Sequence, residues 1–384
     1  MPLETSATLA ARAHQSAHPA DKPLKCAYVT FLLTSPSYLP GILLLAHTLR
    51  HPTTNPSEGS AYPLIVCVNP ALPEECIKAL KDAGVEVRKV QPLVPSGKVT
   101  IIAERFVDTW TKLRVWELEE FDRLILIDGD MMIRQNMDEL FHMPLPADRI
   151  ACCHACVCNL DKSSWAPEDW TRENCAYTPT THPSALTAPV EPSPNPAPHL
   201  LLNSGLVVLT PSTVTMKRIT DLLSSSSPEE QDLIASWMFP DQDLLAEVFR
   251  GKWDALPWCY NALKTMRYWH AGETGFWRDE EVRNVHYICD KPWKRRPQRK
   301  TGEETLVDLD APANPLGETI NPRSKYTCTP GRFLETYDAE LGIPAEEADA
   351  VTHGWWWDAY EKMHAKLVKD GYASMEYLEE LVAK

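Results

Sequence analysis

Nowhere does the chain hold a run of some 18 apolar residues, the length a helix needs to cross a bilayer. Its first two dozen residues also lack an apolar core of signal-peptide length. Both absences argue against membrane insertion and secretion and lead to the expectation of a cytoplasmic protein. No basic cluster is long enough to follow a phosphate backbone, and the net charge is −15. That argues against nucleic acid as a partner, because such binding needs many phosphates neutralised. An anionic ligand would have to be met by local cations or a metal, against the protein's own field. The 11 cysteines are an odd number in a chain without a secretion signal, so they read as reduced thiols and not as a disulfide framework.

The chain does have 44% hydrophobic residues over 384 positions, enough for a sizeable core. CAYVTFLL (Cys26–Leu33) reads as a buried strand, and YLPGILLLAHTLRH follows with helical spacing. YPLIVCV (Tyr62–Val68) and VEVRKV read as further strands around PEECIKALKDAG, a helix from Pro73 to Gly84. TWTKLRVWELEEF (Thr109–Phe121) has helical periodicity and leads into DRLILIDGDMMI, Asp122–Ile133. Strands alternating with helices predict an α/β protein with a mostly parallel, Rossmann-like sheet flanked by helices. Such sheets bind ligands at the carboxyl ends of their strands, which is where Asp128 and Asp130 fall.

Residues 159–199 read as a long insertion whose second half, with seven prolines from Pro179 to Pro198, is extended or disordered. LLNSGLVVLTPS returns to the core as a turn plus strand, and FPDQDLLAEVF enters a helix near Asp241. Gly354–Lys384 carries Trp356, Tyr360, Met363 and Leu367 at the spacing of an amphipathic helix. The triple Trp355–Trp357 reads as that helix's anchor.

Three constellations carry chemistry. Asp128 and Asp130 flank Gly129, which allows close backbone approach. Asp-Gly is a common turn, but two carboxylates on a buried strand end also suit a hard divalent cation shared with substrate phosphates. His286 and Lys291 in NVHYICDKPW offer an imidazole ligand and a phosphate-reaching ammonium. Asn203, Asp241 and Gln242 sit beside apolar runs, suited either to turns and helix caps or to sugar hydroxyls. Cys152, Cys153, Cys156, Cys158 and Cys175, with His154, are zinc-type ligands. Their spacing matches no paired CxxC knuckle, and alternating cysteines in a strand read as buried packing.

The order TKLRVWEL, IDGDM, NMDELF, LNSGLVV, PDQDLL, LPWCYN and VHYICDKPW resembles glycosyltransferase family 8 from Cys26 to Arg296. The resemblance implies a single GT-A domain over 25–300, a leader over 1–24 and a C-terminal extension over 301–384. It implies UDP-sugar as donor and Mn²⁺, or Mg²⁺, held by Asp128, Asp130 and His286. Lys112 and Lys291 would meet the phosphates, with Thr34, Tyr38 and Gly129 in the nucleotide site and Tyr38 stacking on uracil. Asn203, Ser204, Asp241 and Gln242 would line the sugar, and Asn261 the acceptor side. ACVCN and the insertion resemble the galactinol synthases, implying a small polyol such as myo-inositol as the hydroxyl acceptor. Tyr268, seven residues after Asn261, matches the offset of the self-glucosylated tyrosine of glycogenin, implying the alternative of a self-glucosylating primer. A sugar-nucleotide-binding scaffold without catalysis is the non-enzyme alternative, and a homodimer is a further expectation. Two positions depart from glycogenin's pattern. Cys289 stands where glycine would let backbone approach the phosphates, and Met238 stands for a sugar-binding aspartate.

Overall fold

The computed structural model describes residues 23–33, 35–96, 108–159, 166–187, 196–270, 275–296 and 350–383. The leader up to residue 22, Thr34, the stretch 188–195, the tract 301–349 and the Tyr268 side chain lie outside the described residues.

The sheet is built outward from β1 (Cys26–Leu32), all seven residues of which are buried. Its neighbours are β2 (Leu64–Val68) and, on the other side, β4 (Arg123–Ile127), both parallel to it. The strand β3 (Glu86–Lys89) extends the parallel run beyond β2. Side chains alternate across this layer, as a period of two requires. Tyr28, Ile125 and Ile127 join one core with Ile42, Leu43 and Leu45 of helix α1 (Leu39–Arg50). Ala27, Val29, Leu124 and Leu126 join the other, with Trp110, Leu113 and Trp116. Apolar side chains on both faces explain why the strands read as continuous hydrophobic runs.

The helix α2 (Glu74–Asp82) carries the chain from β2 to β3 and ends where Gly84 takes φ +70°. Thr109–Glu117, expected from its periodicity to be helical, winds as a 3₁₀ helix. After β4, short β5 (Met131–Ile133) leaves the main layer. The chain then adds β6 (Ile150–His154), β7 (Leu202–Leu209) and β8 (Trp253–Ala255), giving the order β3-β2-β1-β4-β7-β6-β8. The mostly parallel character expected from the sequence holds, with β7 running antiparallel to both β4 and β6. A second sheet pairs β5 with β10 (Asn284–His286) and β10 with β9 (Ala262–Leu263).

Helices α3 (Thr213–Leu223) and α4 (Pro228–Ser236) precede α5 (Pro240–Val248), and all three supply apolar residues to the second core. The C-terminal segment is two helices and not one: α6 (Ala350–Lys369) and α7 (Met375–Glu380), separated where Gly371 adopts φ +71°. Trp355, Trp356 and Trp357 are buried, and the Trp357 indole N–H donates to the Pro292 carbonyl at 2.9 Å. Trp356 packs on Trp293 with centroids 5.7 Å apart. The tryptophans therefore tie α6 to the loop that carries Lys291.

Where α6 crosses α1, His47 is held neutral. Burial, then the nearby His51, Lys366, Arg50 and Lys362, pull its pKa down to about 4. An unfolded histidine titrates near 6.5, so between about 6.5 and 4 the unfolded chain binds the extra proton and stability falls as pH is lowered. Denaturant unfolding across that window is expected to show this slope, and His47→Gln to flatten it. An unchanged slope in the variant would show that His47 is not its source.

Candidate active site

Strands β1 and β4 lie side by side, and the strand order reverses between them: the chain goes from β1 outward to β2 and β3, and from β4 outward to β7, β6 and β8 on the other flank. A topological switch point opens between their carboxyl ends. There lies a cavity of about 530 Å³ lined by Tyr38, Lys112, Asp128, Asp130, Asp241, His286 and Lys291, among others. Each reaches it for a traceable reason. Asp128 and Asp130 continue β4. His286 ends β10, whose register with β5 sets it opposite Met131, the residue after Asp130. Because β7 is antiparallel to β4, its beginning meets the end of β4, and the Asp128 N–H donates to the Gly205 carbonyl at 2.8 Å.

The β6–β7 pairing skips from Cys152↔Val207 to Cys153↔Asn203. Asn203, Ser204 and Gly205 thus belong to a strand with a bulge, where the sequence suggested a turn. Bulges of this kind re-aim side chains at the ends of sheets. Here the Ser204 hydroxyl donates to Asp241 Oδ2 at 2.9 Å. The helix-cap chemistry open to Asp241 is performed by Asp243, whose carboxylate accepts the Met238 and Phe239 N–H groups at 2.8 Å. Asp241, in the first turn of α5, is left to face the cavity.

The ammonium of Lys112, brought in by the 3₁₀ helix, donates to Asp128 Oδ1 at 2.8 Å and to Asp241 Oδ2 at 3.2 Å. Lys291 Nζ donates to Asp130 Oδ2, and to the Tyr287 carbonyl at 2.7 Å. The two aspartates differ as a result. Burial raises the Asp128 carboxyl, and Lys112, shared with Asp241, only partly offsets this while Asp130 adds to it. Burial also opposes ionisation of Asp130, but Lys291 and His286 outweigh it and hold that carboxyl well below the usual range. Both lysines are pushed down by burial and up, more strongly, by these carboxylates.

A hydrogen-bond chain selects the tautomer of His286. The Gly205 backbone N–H donates to Asn203 Oδ1 at 3.1 Å, which makes that atom an acceptor. Asn261 must then present its amide nitrogen to the same atom, and does so at 2.7 Å. Asn261 Oδ1 consequently faces His286 Nδ1 at 2.9 Å, and the imidazole donates there. Its Nε2 is thereby turned toward the carboxylates, 3.5 Å from Asp130 Oδ1 and 3.8 Å from Asp128 Oδ2. One ligand atom from each of Asp128, Asp130 and His286 lies within 4.8 Å of the others. Two carboxylates with an imidazole oriented from behind can hold a divalent cation.

Some expectations shift. Asn261, read as facing the acceptor, is 1% exposed and lies behind His286. A Cβ on Gly129 would meet Ile42 Cγ1 at 2.7 Å, so helix α1 requires that glycine. Cys289 has φ +58°, the left-handed region where glycine is at ease and a thiol side chain costs on the order of 1 kcal/mol. Tyr38 lies at the cavity edge, edge-on to Trp293 and 5.6 Å from Lys291 Nζ. Gly205 was not singled out from the sequence: a Cβ there would stand 2.5 Å from His286 Cε1. Its place in LNSG was the one available signal. Trp170 and Phe239, stacked at 5.7 Å and lining the cavity, had no periodicity to mark them.

A mostly parallel sheet with paired carboxylates, an oriented imidazole and two lysines at its switch point defines a nucleotide-sugar transferase of the GT-A kind. The glycosyl transferase family 8 model matches residues 29–296, and the chain belongs to that family. Galactinol synthase 4 of Arabidopsis thaliana is 30% identical over 79% of this chain and 80% of its own length. Galactinol synthase 2 of the same plant is 31% identical over 76% and 79%. A solved structure of the galactosyltransferase LgtC with donor and acceptor sugar analogues aligns more loosely, at 14% identity and TM-score 0.48 over 83% of this chain and 98% of that one. The protein is a UDP-sugar-dependent hexosyltransferase. Among the described residues no helix is long and apolar enough to cross a membrane.

Gly205→Ala is expected to push the imidazole off its position and weaken divalent-cation binding about 10–100-fold. Calorimetric titration of Mn²⁺ in the presence of UDP measures this, and wild-type affinity in the variant would contradict the assigned support of His286.

Proposed function

We propose that the protein transfers a hexose from UDP to a hydroxyl of a small polyol such as myo-inositol, with retention at the anomeric carbon. The observation that carries the reading is the convergence of Asp128, Asp130, His286, Lys112 and Lys291 on one cavity. The donor set fits Mn²⁺, or Mg²⁺, which when bound would neutralise charge growing on the leaving diphosphate.

The protein's own residues divide the remaining work. Lys291, seated between Asp130 and the Tyr38 ring, is placed to exchange its carboxylate contact for a diphosphate oxygen. Lys112 links Asp128 to Asp241 and so ties the diphosphate end of the cavity to the sugar end. Oδ2 of Asp241 already accepts from Lys112 and Ser204, which suits it to positioning sugar hydroxyls and not to attack on carbon. In a front-face reaction the departing phosphate oxygen takes the acceptor's proton, and no protein base is required. Tyr38 at the cavity edge is offered to uracil. Gln242, which accepts a hydrogen bond from Asn203 at 3.3 Å, faces the sugar beside Asp241. Asn261 acts through His286 as a positioning residue.

The polyol reading rests on the galactinol synthases as relatives and on the aromatic wall of Trp170, Phe239 and Trp269, which suits the C–H faces of a ring polyol. Met238, standing where glycogenin has a sugar-binding aspartate, argues against carrying glycogenin's glucose pocket over to this chain.

Incubation with UDP-galactose or UDP-glucose, Mn²⁺ and myo-inositol, followed by mass spectrometry of small molecules and of the intact protein, tests the proposal. A hexosyl-inositol is expected with the protein mass unchanged, and Asp130→Asn should lower turnover by at least about 100-fold. A ladder of hexoses on the protein would make it a self-glucosylating primer. Tight UDP binding without turnover of any donor would make it a scaffold.

A further inference from the structure

The cysteines that the sequence left as core packing divide into two groups. Cys152 and Cys153 lie in β6, buried in opposite cores, and behave as small apolar side chains. Beyond the strand, Cys156 and Cys158 turn toward Cys175 of the insertion and toward His270, 112 residues beyond Cys158. The Cys156 and Cys175 sulfurs are 3.8 Å apart. His270 Nε2 is 3.4 Å from Cys156 Sγ and 3.3 Å from Cys158 Sγ. All four residues are buried, and one ligand atom from each lies within 4.8 Å of the others.

These separations have a chemical meaning. Tetrahedral zinc, with Zn–S near 2.3 Å and Zn–N near 2.05 Å, sets sulfur atoms about 3.8 Å apart and sulfur to nitrogen about 3.5 Å. A disulfide would require sulfurs at about 2.05 Å and would leave two of the four groups unused. Simple packing accounts for thiols, but not for three of them converging on one imidazole nitrogen. The four ligands close the coordination shell with protein atoms, the arrangement of structural and not catalytic zinc sites.

We propose that Cys156, Cys158, Cys175 and His270 bind a structural zinc ion that staples the insertion to the wall of the active-site cavity. Cys156 lines that cavity, as do Ala155 beside it, Trp170 from the insertion and Trp269 next to His270. The Arg172 guanidinium donates to the Trp269 carbonyl at 3.0 Å, a protein-only link across the same seam. The zinc thus orders the aromatic wall from three separate stretches of chain. It is a second metal site, remote in ligand type from the carboxylate–imidazole group.

Metal analysis of the full-length protein after exhaustive dialysis against EDTA tests the assignment. About one zinc per chain is expected. It is retained in Asp128→Asn/Asp130→Asn, which dismantles the other metal group, and lost in Cys158→Ser/Cys175→Ser. To separate loss of the metal from failure to fold in the cysteine variant, the wild-type protein supplies a second readout. Exchange with Co²⁺ is expected to produce thiolate-to-cobalt charge-transfer and tetrahedral d–d bands, which a site without sulfur cannot give. Folded wild-type protein with no retained zinc and no sulfur–cobalt band would overturn the proposal. So would zinc that disappears with the aspartates while the cysteines are intact. Neither result depends on which sugar or acceptor the enzyme uses.

Discussion

The site turns on the electrostatics of two carboxylates at the end of a buried strand. Asp128 and Asp130 present oxygens within 4.8 Å of each other, where like charges repel by at least roughly 3 kcal/mol at an effective dielectric of about 20. A lysine 2.8 Å from Asp128 returns about 6 kcal/mol in the same terms, so the ammonium groups win and the pair can exist at all. The settlement is unequal. Asp130 is held ionised by Lys291 and His286, whereas Lys112 divides itself between Asp128 and Asp241. The cavity therefore retains a demand for positive charge at Asp128, of the kind a divalent cation could meet.

Much of the surrounding structure serves to keep those charges in place. Helix α6 holds the Lys291 loop through Trp356 and Trp357. The small sheet β5-β10-β9 sets His286 against the aspartates, and the bulge in β7 aims Ser204 at Asp241 while its backbone starts the chain that orients the imidazole. Buried charges of this kind are weak sources of stability but strong sources of geometry, because any one partner removed strands the others. A protein of net charge −15 is thereby able to receive a diphosphate.

The meeting of carboxylates, imidazole and lysine was legible in the sequence. LILI announces a strand buried on both faces, DGD marks its end, and a histidine and a lysine close together in NVHYICDKPW suggest a second contributor. Local periodicity carries that much. It does not carry register: the bulge that puts Asn203–Gly205 in a strand arises from a partner some fifty residues earlier in the chain. Nor does it reveal burial, which moved Asn261 from the acceptor side to a place behind His286. The cysteine cluster shows the same boundary. Cys156, Cys158 and Cys175 could be seen together, but His270 joins them only through the tertiary fold, and no spacing rule spans that distance.

The most direct measurement is the anomalous scattering of crystals grown with UDP and Mn²⁺. A manganese peak bonded to Asp128, Asp130 and His286, with the diphosphate against it and Lys291 swung from Asp130 to phosphate, is the predicted result. UDP bound elsewhere, or bound in this cavity with Lys291 still on Asp130 and no manganese between the carboxylates, would contradict the account.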